Sequence, residues 1–360
     1  MISPASRGLP TPPAEATRSS PLVSVVFPVY NGGRYLREAL DSVLAQTYRP
    51  MEVIVMDDAS TDDTPAILAT YGDAIRVVRQ SQNQGIYPNT NAGIRLARGE
   101  LIASYHSDDV YLPTIVEQEV AFLERYPEVG AVFASDIFID AEGREYGRLA
   151  LPPDVPADRP LDFRLILNGL LTHKNKFLRC PTAMVRASVY RDVGVYRADE
   201  FSVIADEEMW LRIARRYPIG ILSEHLLRYR HFHGNATQAY HHLRTEPNIH
   251  FRILDEYVAT SEGETTPEAL AAHEAHRAED RLMIVVNHYI AGARGPGREA
   301  LRRVRLRSLV GSPAVQRVRL LILWAALQLL CRLPHIGAVA RAFYRRWHVK
   351  RSPWTEATGR

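Results

Sequence analysis

The strongest constraint on the fold is an alternation, near the N-terminus, of short aliphatic runs with segments of helical spacing. Residues 22–28 (LVSVVFP) are almost wholly apolar, as expected of a strand buried on both faces. Asn31, Gly32 and Gly33 supply a turn, after which Leu36, Leu40, Val43 and Leu44 recur at helical spacing until 47–50. The unit repeats: 51–57 (MEVIVMD) is a second strand, and a helix opens after Ser60. There Ser60 and Asp63 have capping-box spacing, Pro65 suits a first turn and Gly72 closes the helix. A third strand at 75–79, a short helix at 91–97 ended by Gly99 and a fourth strand at 101–105 follow. Strands alternating with helices predict a doubly wound, mostly parallel α/β sheet with flanking helices.

Further along, 114–125 reads as a helix, 131–139 as a strand and 151–160 as a loop rich in Pro and Asp. Residues 207–216 read as a helix with Trp210, Leu211 and Ala214 on one face, and the chain beyond Thr245 is helical in pattern. The hydrophobic fraction of 46% and the charged fraction of 24% exclude global disorder and a polytopic membrane protein. Cys180 and Cys331 are too far apart for a zinc or disulfide framework, which fits a reducing cytosol. Residues 1–20, rich in Pro, Ser and Thr without an apolar core, are expected to be a disordered leader.

In parallel sheets, ligands sit beyond the carboxyl ends of the strands. Polar residues gather there: Tyr30 and Asn31 just past Pro28 at the end of the first strand, Asp57 and Asp58 after the second, His106, Asp108 and Asp109 after the fourth. Tandem carboxylates behind a buried strand call for a positive partner, and a hard cation with oxygen ligands, Mg²⁺ or Mn²⁺, suits Asp108 and Asp109. Asp in such places also caps helices and forms turns, and that reading serves 57–58 (DD) as well. A Rossmann glycine pattern and a Walker A lysine loop are both absent after the first strand.

Taken in order, PLVSVVFPVYNGGRYLREALDSVLAQTY, MEVIVMDDASTDDT and LARGELIASYHSDD resemble the family 2 glycosyltransferases of GT-A fold, over about 21–237. The resemblance implies that Pro28, Tyr30, Asp57 and Asp58 border a nucleoside pocket. Asn83 and Gly85 match an N-x-G loop. Asn91 matches an R-N-x-G segment in which Thr90 stands for Arg. Asp108 and Asp109 match a D-x-D-type element whose last Asp ligates a metal bridging the donor phosphates, with His106 where that element often begins with Asp. In ADEEMWLRIA, Asp206 aligns with the catalytic base of an inverting transfer, Ala205 replaces a Glu, and Glu207 or Glu208 could share the role. Arg230 and His233 match a Y-R-x-H loop over the diphosphate, and 180–182 (CPT) fall where acceptors bind. A metal-dependent sugar transfer from a nucleotide-sugar to a saccharide or lipid-linked acceptor is therefore expected, in polysaccharide or glycolipid synthesis. The same departures, Thr90, Ala205 and His106, also motivate a catalytically silent binder or scaffold of this fold.

Residues 294–351 are dense in Arg and nearly free of carboxylates. Within them 320–331 (LLILWAALQLLC) is about half the roughly 20 residues of a spanning helix. Flanked by Arg317, Arg319 and Arg332, with Arg341, Arg345 and Arg346 beyond, it reads as an interfacial helix on anionic lipid, or as one packed on the protein. No nucleic-acid-binding motif accompanies these arginines. The expected organisation is a leader (1–20), a sheet domain (21–240) and a basic helical extension (241–360). The expected location is cytoplasmic, at the inner face of a membrane.

Overall fold

In the computed structural model, which describes residues 20–232, 244–290, 293–306, 309 and 314–330, the expected alternation is present. It runs β1 (Val23–Val29), α1 (Leu36–Leu44), β2 (Met51–Asp57), α2 (Thr64–Ala69), β3 (Arg76–Arg79), α3 (Ile86–Leu96) and β4 (Leu101–Ser104). The next elements are β5 (Val110–Tyr111), α4 (Ile115–Arg125), β6 (Ala131–Ile139), β7 (Glu145–Arg148), β8 (Pro160–Leu161) and α5 (Phe163–His173). Then come β9 (Ala183–Arg186), α6 (Ala187–Val193), α7 (Ala198–Phe201), α8 (Ala205–Ala214) and β10 (Ile219–Arg230). Helices α9 (Ile249–Ala259), α10 (Pro267–Ile290), α11 (Arg294–Arg302) and α12 (Ala314–Leu330) complete the described chain.

The strands form one sheet in the order β3-β2-β1-β4-β9-β6-β10-β5, with β7 on β6 and β8 on β10. Pairing is parallel from β3 through β4 and between β6 and β10, while β9 runs antiparallel to both β4 and β6. β1 is buried along its whole length because alternate side chains enter two different cores. Val23, Val25 and Phe27 pack with Leu36 and Leu40 of α1, whereas Val26 packs with Ile54, Met56 and the layer containing Trp210.

Several boundaries differ from expectation. Ser60 does not cap α2, since its Oγ accepts from the Asn31 amide at 2.9 Å; Asp62 accepts from the Thr64 amide instead. Gly72 does not close α2, which ends at Ala69; with φ 51° it turns the chain toward β3. α3 begins at Ile86 rather than 91, because Gly85 at φ 90° starts it directly and Pro88 is tolerated in a first turn. β10 escaped the sequence reading because register shifts around His225 break its alternation. α5 was also missed; Asp162 caps it by accepting from the Leu165 amide.

The expected boundary at 240 divides one core, since Ile253 and Leu254 of α9 pack with Trp210 and the sheet. Beyond it, Leu282 and Val285 of α10, Leu301 of α11 and Leu320 and Leu327 of α12 make a separate helical cluster. α12 buries that face and exposes Val318, Ile322 and Leu329. No helix among the described residues is long and apolar enough to cross a membrane. Residues 1–19 and Arg332, Arg341, Arg345 and Arg346 lie outside the described residues.

Gly93 lets α3 sit close on β1 and β2: a methyl there would lie 2.4 Å from Val26 Cγ1 and 2.9 Å from Met56 Cγ. Gly93→Ala is expected to destabilise the protein by about 1–3 kcal/mol, read as a lowered midpoint in denaturant unfolding.

Candidate functional site

The loops after β1 and β2 are stitched together. Asn31, in the left-handed region at φ 49°, accepts from the Thr61 amide at 2.8 Å. The Gly32 amide donates to Thr64 Oγ1 at 2.9 Å and the Gly33 amide to Asp62 at 3.0 Å. Ala59 is held at φ 61°, a strained conformation for a residue with a Cβ, costing about 1–2 kcal/mol. Strain of this kind, between Asp58 and Ser60, is sustained only where the surroundings over-determine the backbone.

Asp57 is buried, accepts from the Ser60 amide at 2.9 Å and faces the Arg79 guanidinium at 3.6 Å. Asp58 is buried too, and its two oxygens accept from the Gln84 amide at 2.9 Å and the Gly85 amide at 2.8 Å. Asn83 also accepts from the Gly85 amide. Asp58, Asn83 and Gly85 are thus brought together, with Asp58 anchoring the N-x-G loop where α3 begins. Pro28 is buried in β1, whereas the Tyr30 side chain just beyond it is half exposed. Asn91 does something other than expected. Its amide is engaged at both ends by the Tyr196 backbone, at 2.8 and 3.0 Å, so it pins α3 to the segment before α8 rather than presenting polar atoms to a ligand.

After β4, His106, Asp108 and Asp109 each place one ligand atom within 4.8 Å of the others. Asp109 is fully buried. Its Oδ1 accepts from the Arg230 amide at 2.8 Å, and its Oδ2 has no partner among the described residues. Burial, followed by the Asp108 charge, pushes the Asp109 carboxyl well above the usual carboxylate range. Burial also raises Asp108 to about 6, against the pull of Arg230, and lowers His106 to about 4, which leaves its imidazole neutral near pH 7. An unpartnered buried carboxylate oxygen beside a second carboxylate and a neutral imidazole fits a divalent cation.

Arg230, expected over the donor, is instead a strut. Its side chain is buried, donates to the Asp108 carbonyl at 2.9 Å and to Glu38 of α1 at 2.6 Å, and reaches the Asp140 carbonyl at 3.3 Å. Its guanidinium lies 4.5 Å over the Tyr35 ring. β10 delivers it there as its last residue, which explains why a loop was the wrong setting for it. His233 lies outside the described residues.

In the first turn of α8, Asp206 is partly exposed, but its neighbours are not available. Glu207 is buried and paired to His250 of α9 at 2.5 Å, and Glu208 is held by Arg212 at 2.9 Å and Arg197 at 3.5 Å. Both carboxylates are engaged in ion pairs, which sets them apart from Asp206. Burial, then the Glu207 charge, raises Asp206 to about 6, opposed by the Tyr87 hydroxyl. Cys180 lies close enough for the Asp206 charge to raise its thiol further, beyond the effect of burial.

Residues that sequence reasoning missed include Asp136, Arg179, Glu38 and Tyr87. Asp136 sits buried in β6, paired to Arg179 at 3.2 Å, and its charge bears on Asp109. A lone acid inside the apolar run AVFASDIFI was the available signal. Glu38 and Tyr87 carried none, because each is an ordinary helix residue in sequence.

Residues 24–194 match the family described as glycosyl transferase family 2. The putative glycosyltransferase EpsE of Bacillus subtilis is 33% identical over 199 residues, covering 54% of this chain and 67% of its own length. The chain belongs to glycosyltransferase family 2. This family 2 chain spans only 32% of the length of an uncharacterized glycosyltransferase of Rickettsia felis to which it is 32% identical. Among solved structures, Staphylococcus aureus TarS 1–349 in complex with UDP-GlcNAc is similar at a TM-score of 0.54 and 18% identity, over 90% of this chain and 91% of that one. The mannosyltransferase PcManGT of Pyrobaculum calidifontis, in complex with GDP-Man and Mn²⁺, is similar at 0.52 and 19% identity, over 92% and 88%. At these identities the likeness shows the GT-A fold, a mixed, mostly parallel sheet with flanking helices, as expected.

Asp58→Ala in this family 2 chain should leave the Gln84 amide without its acceptor and the Gly85 amide with Asn83 alone, and cost about 1–3 kcal/mol. Hydrogen exchange is expected to speed up at Gln84 and Gly85 before it does in β1.

Proposed function

We propose that the chain transfers a sugar from a nucleoside-diphosphate sugar to a hydroxyl acceptor, with inversion. The observation that carries this reading is the contrast within ADEE: Glu207 and Glu208 are locked in ion pairs, while Asp206 is partly open and raised to about 6. A carboxylate with that value is a competent base at neutral pH. Asp206 takes the proton of the acceptor hydroxyl as its oxygen bonds to the anomeric carbon. The bond to the diphosphate breaks on the opposite face.

Asp57, Asp58 and the loop from Asn83 to Gly85 border the nucleoside, with Pro28 and Tyr30 beside it. Asp109, Asp108 and His106 would hold a divalent cation; an imidazole beside two carboxylates favours Mn²⁺ over Mg²⁺. When bound, the cation stabilises charge on the departing diphosphate. Arg230 keeps these aspartates in place from behind. The complexes of TarS with UDP-GlcNAc and of PcManGT with GDP-Man and Mn²⁺ support this donor class and cation. The exposed Val318, Ile322 and Leu329 of α12 support a peripheral contact with a membrane, where a lipid-linked or polysaccharide acceptor would be met.

The test is release of nucleoside diphosphate from UDP-, GDP- and dTDP-sugars with Mn²⁺ or Mg²⁺. Asp206→Asn is expected to lower kcat by about 10²–10⁴-fold while donor binding persists, and Asp109→Ala to abolish the response to metal. Donor binding without turnover, even with a broad acceptor panel, would favour the silent binder; no binding at all would end the transferase reading.

Protonated Asp206 cannot accept a proton, so kcat/KM should fall as pH drops through about 6 and level off above it. A pH–rate profile lacking that acidic limb would exclude Asp206 as the base.

A further inference from the structure

Between α9, α10 and α11 lies a cavity of about 620 Å³ lined by Arg277, Arg281, Arg302, Arg303 and Arg305. Arginine is abundant throughout this chain, so number alone would mean little; what matters is convergence without matching acids. The two carboxylates in the wall, Asp255 and Glu274, both pair with Arg277. Glu299 meets Arg303. Arg281, Arg302 and Arg305 form no ion pair with a carboxylate among the described residues.

Local packing explains why they converge. Arg277 and Arg281 are four residues apart, hence on one face of α10, while Ala278 and Leu282 turn to the apolar cluster. At the end of α11 and just beyond it the chain repeats the division: Leu301 and Val304 enter that cluster, and Arg302, Arg303 and Arg305 line the cavity. The hydrophobic contacts thus hold like charges together. Burial, then the neighbouring Arg277 charge, holds the Arg281 guanidinium below its usual value, with Arg305 adding to the shift and Glu274 and Asp280 opposing it. A dianion in the cavity would relieve that repulsion, and guanidinium forks match phosphate oxygens in pairs.

We propose that this cavity binds a phosphate-bearing anion, either a soluble diphosphate or phosphate ester or the headgroup of a phospholipid. None of its residues belongs to the cluster around Asp109 or to Asp206, so the proposal stands independently of the transfer reaction.

The test uses the full chain in buffer with a metal chelator, so that no cation bridges diphosphate to the aspartates. Inorganic pyrophosphate is titrated by calorimetry, and co-sedimentation is measured with phosphatidylcholine vesicles with and without phosphatidylglycerol. The variants are Arg281→Gln combined with Arg302→Gln, and Arg305→Gln alone, whose exposed side chain makes it the substitution expected to leave the helical packing intact. Pyrophosphate binding weakened about tenfold or more in the variants assigns a soluble phosphate. Loss of the extra sedimentation with phosphatidylglycerol assigns a headgroup. Wild-type protein that responds to neither probe, or variants that match it in both arms, would overturn the proposal.

Discussion

Arg230 is the residue around which the acidic end of the sheet is organised. A sheet buried on both faces leaves no water to stabilise carboxylates at its strand ends, so opposite charge and backbone donors must do it. The Arg230 amide holds Asp109 while its guanidinium reaches the Asp108 carbonyl, Glu38 and the turn after β6. One buried side chain thereby ties β10 to α1, to the loop after β4 and to the chain beyond β6. The arrangement satisfies one Asp109 oxygen and leaves the other without a partner among the described residues. A cation-shaped deficit remains where the cation is proposed to sit.

A second line of contacts joins the two halves of the proposed site. Asp58 fixes the amides of Gln84 and Gly85, Gly85 starts α3, and two residues later Tyr87 stands beside Asp206. Asn91, one turn on, pins the same helix to the backbone of Tyr196. Helix α3 therefore touches both the proposed nucleoside pocket, at its N-cap, and the proposed base on α8, through Tyr87. A residue that looked like a ligand contact serves to keep that helix in place.

The C-terminal helices follow a simpler rule. Their apolar residues pack with one another, and the interleaved arginines are left to gather, in a cavity and along exposed surface. The charge asymmetry was plain in the sequence; that five arginines meet was not, because it depends on how α10 and α11 cross.

The sequence by itself determined the sheet and the line-up of polar residues at its carboxyl edge. Strand period, helix period and glycine turns are local properties, and they place Asp57, Asp58, Asp108 and Asp109 after the strands whatever the rest of the chain does. It also carried the family motifs that single out Asp206. Tertiary structure alone decided which acids are open and which are paired. Asp206, Glu207 and Glu208 are near-equivalent in sequence, and what separates them is the arrival of His250 and Arg197 from other segments, beside the Arg212 that Glu208 meets one turn along its own helix. Arg230 and Asn91 became structural for the same reason: a side chain's partners come from elements distant in sequence, and no local spacing encodes them.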